Sequence, residues 1–90
     1  MSTIYDSLEP EEAQDIQVLS LLSYRTRENR RDVLAAMNAD NEESLLARIA
    51  AGEIAEHPAY EHYLAARILA DTHEAARTAM ASRLREINSR

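Results

Sequence analysis

Apolar positions recur along this chain at intervals of three and four, the period of a helix face, and they fall into three segments. The first opens near Pro10, a residue suited to a first helical position, and Asp6 followed by Glu9 fits a capping box. Its start is therefore expected between Ser7 and Pro10, with Glu9, Glu11 and Glu12 placing negative charge at the positive end of the helix dipole. Ile16, Val18, Leu19, Leu21 and Leu22 then cover more than half the helix circumference, a distribution that predicts heavy burial. From Arg25 to Asp32 no residue is apolar, yet none is Gly or Pro either. A seam of Leu19, Leu22, Thr26, Asn29 or Arg30, Val33 and Met37 passes through that stretch. The spacing thus predicts one helix over 10–37 with a polar middle.

Asn38-Ala39-Asp40-Asn41 is a turn cluster, and Asp40 with Glu43 forms a second capping box. A short helix over 42–51 follows, carrying Leu45, Leu46 and Ile49 and closing at Gly52, which is placed to serve as a left-handed C-cap. Glu53 to His57 reads as a connector, because the residue before a proline is pushed out of the α region. Pro58 opens the last helix, predicted over 58–88 and about 46 Å long at ~1.5 Å per residue. That helix carries two stripes. His62, Ala66, Leu69, His73, Ala76, Met80, Leu84 and Ile87 form a coiled-coil-like seam, and Tyr60, Leu64, Ile68, Ala75 and Ala79 lie on an adjacent face. One stripe can meet the first helix and the other a partner. The expected fold is all-α: a single helical domain over 1–90, an antiparallel hairpin of two long helices joined by a short one, completed into a helical bundle by dimerisation.

Composition sharpens that expectation. The 46% apolar content includes 16 Ala and no Phe or Trp, and Ala favours helix while burying little. A 90-residue chain with so thin a core is expected to associate, either with itself as a homodimer or with a larger protein. Net charge is −6 and all ten basic residues are Arg, a balance that disfavours direct nucleic-acid binding. Cys is absent, which removes disulfides, thiol nucleophiles and Cys-ligated metals. No signal-peptide pattern and no apolar run of ~18 residues occurs, so a soluble cytoplasmic protein away from membranes is expected.

The candidate chemistry is sparse. His57, His62 and His73, with Glu53, Glu56, Glu61 and Glu74 nearby, raise the question of a metal. The Glu-x-x-His spacing that di-iron bundles use is missing, however, and His62 and His73 stand about 16 Å apart along one helix at ~1.5 Å per residue. Neither metal nor cofactor is expected. The two histidines read instead as polar positions in the seam, bonded to a facing Asn29 or Thr26. A metal- or ligand-binding bundle using His and Glu across a symmetric dimer interface is the alternative.

Arg25, Arg27, Arg30 and Arg31 make the one basic island, and their i,i+4 charge pairs are repulsive, so the island looks uncompensated. Arg and Tyr are common interface anchors, which makes this cluster, together with Tyr60 and Tyr63, the candidate partner-binding set. No serine sits in a nucleophile elbow, one Gly cannot build a phosphate-cradling loop, and the carboxylate pairs lie at helix starts where dipole and solvent account for them. The sequence therefore points away from an enzyme. It points towards a small helical interaction module that regulates, inhibits or adapts a larger protein. Charge favours one version of this, an acidic blocker of a nucleic-acid-binding partner: Asp6, Glu9, Glu11, Glu12 and Asp15 give residues 1–24 a charge of −5 with no basic residue. Residues 38–62 also carry −5, six carboxylates against Arg48.

Overall fold

A computed structural model describes residues 8–89, which form three helices: α1 (Pro10–Ala36), α2 (Glu42–Ala50) and α3 (Glu56–Asn88). No strand occurs among the described residues. The two long helices lie antiparallel, as Asp15 opposite Arg83 and Ser23 opposite His73 require, and α2 folds back onto α3. The fold is all-helical with a hairpin at its centre.

Local chemistry explains each boundary. Pro10 occupies the first turn of α1, where its missing N–H costs nothing. The capping box forms between Glu9 and Glu12, with the Glu9 N–H donating to Glu12 Oε1 at 3.0 Å. The sequence placed that box on Asp6 and Glu9, and Asp6 lies outside the described residues. The polar stretch 25–32 is helical throughout. Within it, Thr26 turns its hydroxyl back on its own helix, donating to the Leu22 carbonyl at 2.8 Å, which lets a polar residue sit buried in the seam.

Both helices that lead into turns end in the same motif. At the end of α1 the Asn38 and Ala39 N–H groups reach back to Ala35 and Leu34, and Asn38 takes the left-handed conformation (φ 52°). At the end of α2 the Gly52 and Glu53 N–H groups reach Ile49 and Arg48, with Gly52 left-handed (φ 74°). Arg48 strengthens the first of these turns by donating to the Met37 carbonyl at 2.9 Å. The N-cap of α2 corrects the sequence reading. Asn41, not Asp40, is the cap, its side-chain oxygen accepting from the Ser44 N–H at 2.8 Å. His57 breaks the first turn of α3 with extended backbone (φ −104°, ψ 122°), so regular helix starts at Pro58.

The core is small and lies at the α2 end. Leu34, Ala39, Leu45, Ala59, Tyr63 and Ala66 form it, with Val33, Met37, Ile49 and Ile54 packed around them. Leu45 is the one large side chain among the described residues that is fully buried. Towards the open end of the hairpin burial thins to Ile16, Thr26, Ala76 and Ile87. The heavy burial predicted for the start of α1 does not occur: Ile16 is buried, but Val18, Leu21 and Leu22 are 58%, 48% and 40% exposed. An apolar set wrapping more than half a helix needs neighbours on several sides, and here a single helix faces it. The hairpin is accordingly long and thin, 58 × 20 × 18 Å with a radius of gyration of 17.9 Å, against ~12 Å for a compact chain of this length.

Candidate interaction surface

Antiparallel packing sorts each long helix into a facing seam and two flanks. On α3 the facing seam runs through Ala66, Leu69, His73, Ala76 and Met80, and on α1 through Ile16, Leu19, Ser23 and Thr26. Residues one position after the seam lie on one flank, residues one position before it on the other. On the first flank, α2 sits over Tyr63, Arg67 and Ala70, the residues that share a groove with Glu42, Glu43 and Leu46. The second flank shows Val18 and Leu22 of α1 beside Ile68, Ala75 and Ala79 of α3, all exposed. Val18 and Ala79 line a common groove there with Asp15 and Arg83.

The arginine island is divided. Arg30 is turned inward and grips Glu42 of α2 with both prongs of its guanidinium, Nε donating to Oε2 at 2.7 Å. That contact fastens α2 to the hairpin, and the Arg30 bond is the main reason the Glu42 carboxyl is held below the usual carboxylate range. Arg27 and Arg31 flank Glu28 at 3.7 and 3.3 Å, so the cluster is partly compensated where the i,i+4 spacing alone suggested repulsion. The Arg27 guanidinium also lies 5.6 Å from the Tyr24 ring centroid. Arg25 is exposed on the second flank.

The two candidate tyrosines part company. Tyr63 is only 8% exposed and belongs to the core, where its hydroxyl accepts from Arg67 at 3.1 Å. Tyr60 stacks on it, ring centroids 5.9 Å apart, and remains 46% exposed.

The histidines are dispersed. His73 bridges the hairpin, its Nδ1–H donating to the Ser23 carbonyl at 2.9 Å, with the Thr26 hydroxyl 3.5 Å away. His62 donates to the Pro58 carbonyl of its own helix at 3.0 Å, and His57 pairs with Glu61 at 2.7 Å on the surface. The His57 bond is the main cause of a lowered Glu61 pKa. Among the described residues no three His, Asp or Glu side chains converge on a point that could hold a metal ion. No helix among them is long and apolar enough to cross a membrane.

One feature of the surface escaped the sequence. Near the open end, Ala13, Ile16, Gln17 and Ser20 of α1 and Met80 and Leu84 of α3 line a mostly apolar groove of about 550 Å³. Its residues lie on the α2 side of the seam but beyond the reach of that nine-residue helix. The sequence pattern names the apolar positions, while the gap arises because α2 is too short to cover them.

No curated protein and no solved structure matches the chain. A family model described as the uncharacterized protein MJ0235 family matches residues 7–90, and the chain belongs to that family.

Proposed function

We propose that this member of the MJ0235 family is a small helical protein-interaction module, a regulator or adaptor that docks on a larger protein and performs no chemistry itself. One observation carries the reading: Val18, Leu21, Leu22, Tyr24, Leu46, Tyr60, Leu64 and Ile68 are all more than a third exposed, while among the described residues one large side chain, Leu45, is fully buried. A small chain that leaves eight large apolar residues in water has surfaces built to be covered. On the α2 side, Tyr24, Arg27, Arg31 and Tyr60 supply the aromatic and guanidinium anchors that protein interfaces favour. The apolar groove of Ile16, Met80 and Leu84 continues that face towards the open end.

Charge supports a narrower version, an acidic blocker of a nucleic-acid-binding partner. Asp40, Glu43, Glu53, Glu56 and Glu61 gather at the α2 end, where they offer a basic groove a substitute for phosphates.

The test is capture of partners from native lysate by the full chain and by an Arg27→Glu/Arg31→Glu variant. The reading expects a protein retained by the first and lost by the second, with nucleic acid competing for it. Identical retention by both chains, or none by either, overturns it.

A further inference from the structure

We propose that the second flank, opposite α2, is the seat of a second copy of this chain, and that the two hairpins complete an antiparallel four-helix bundle. The proposal deepens the interaction reading by naming the occupant of one face.

The flank has the periodicity of a helix-packing seam. On α1 it runs Asp15, Val18, Leu22, Arg25, Asn29, Asp32, and on α3 Glu61, Ala65, Ile68, Thr72, Ala75, Ala79, each at alternating steps of three and four. Such heptad spacing keeps one face turned towards a neighbouring helix along its whole length. Both rows duplicate the register of the seam already used inside the hairpin, so α1 and α3 can each serve two neighbours. A four-helix bundle requires that of every helix.

Size and charge select a second copy. The chain exposes 6425 Å², about 1,100 Å² more than the ~5,300 Å² expected of a folded monomer of 10.2 kDa. That excess is of the order of the ~800 Å² each partner contributes to a standard interface. A chain of net charge −6 repels its own copy over most of its surface. From Val18 to Asn29 on α1, and from Ala65 to Ala79 on α3, the flank rows contain no carboxylate, so two acidic chains can approach here.

Shape selects the orientation. The Asp15–Arg83 and Ser23–His73 contacts fix the register, which sets the large Val18 and Leu22 of α1 level with the small Ala79 and Ala75 of α3. A two-fold axis along the bundle places α1 of each chain against α3 of the other. Val18 and Leu22 then enter the space over the partner's alanines.

The experiment is sedimentation equilibrium on the full chain at about 100 μM, well above the micromolar upper end of Kd for interfaces of this size. The expected mass is about 20 kDa, twice the 10.2 kDa chain. Ile68→Glu, at a position already 64% exposed in the single hairpin, is expected to give a monomer with its helical circular dichroism retained. A second measurement holds even if that variant unfolds. Chains carrying Val18→Cys are mixed with chains carrying Ala79→Cys and oxidised, and a disulfide between the two kinds of chain is expected. A monomeric wild type, a dimer unmoved by Ile68→Glu, or absence of the mixed disulfide overturns the proposal. A monomer that still captures a partner through Arg27 and Arg31 removes this inference alone, whereas a dimer that captures none removes only the regulator reading.

Discussion

The Nδ1–H of His73 donates to the carbonyl oxygen of Ser23 at 2.9 Å, joining the midpoints of the two long helices. The carbonyl can only accept, so the bond assigns the proton to Nδ1. Ala66 and Ala76 on either side offer little grip, and this polar contact sets the register of α1 on α3 at a level where apolar packing is thin. His73→Leu keeps the volume but loses the bond, and is expected to lower stability by about 1 kcal/mol, read from the urea midpoint. An unchanged midpoint would show that the register is set elsewhere.

Arg30 and Glu42 fasten α2 through a contact that is largely covered, the two side chains being 33% and 15% exposed. The Glu42 carboxyl is more acidic in the folded chain than in the unfolded one, chiefly because Arg30 bonds it. The pair therefore stabilises the fold above the ordinary carboxylate value of 4.5, and that contribution is lost as pH falls through the lower folded value. Glu42→Gln is expected to cost about 1 kcal/mol near neutral pH and to lie closer to wild type at about pH 3. Urea unfolding of both chains at the two pH values checks this.

The cap of α2 separates two adjacent residues. Asn41→Ala is expected to destabilise by about 1 kcal/mol because it removes the acceptor for the Ser44 N–H, whereas Asp40→Ala is expected to stay within about 0.5 kcal/mol of wild type. Paired thermal melts decide the matter, and the reverse order would restore Asp40 as the cap.

Gly52 sits at φ 74° with nothing within 4 Å of where a Cβ would lie. A substitution there meets no steric clash, so its cost comes from the left-handed backbone alone. Gly52→Ala is expected to lower stability by about 1 kcal/mol, and Gly52→Asn by less, since Asn tolerates that conformation at the matching turn at Asn38. Denaturant titration of the two variants gives the comparison.

Helix existence and extent were legible in the sequence to within a residue or two, because Pro10, Pro58, Gly52 and the Asn38–Asn41 cluster act through covalent geometry and short-range bonds. The candidate surface was legible in part. The stripe of Tyr60, Leu64, Ile68, Ala75 and Ala79 is exposed and distinct from the seam, but it is divided, with Tyr60 on the α2 side and Ile68, Ala75 and Ala79 on the opposite flank. Tyr63 and Arg30, grouped with surface anchors, face inward, since nothing local to either residue reveals that α2 folds back over them.

By itself the sequence determined three helices, their ends to within a residue or two, and that the last one carries more apolar surface than one seam, all consequences of backbone chemistry and a 3.6-residue period. Tertiary structure alone decided which of the five apolar residues between Ile16 and Leu22 are buried, that His73 pairs with Ser23, and that Arg30 holds Glu42. The physical reason is that periodicity names the residues able to face a neighbour but not how many neighbours there are. A hairpin supplies α1 with one full-length neighbour, and the rest of its apolar circumference is left exposed.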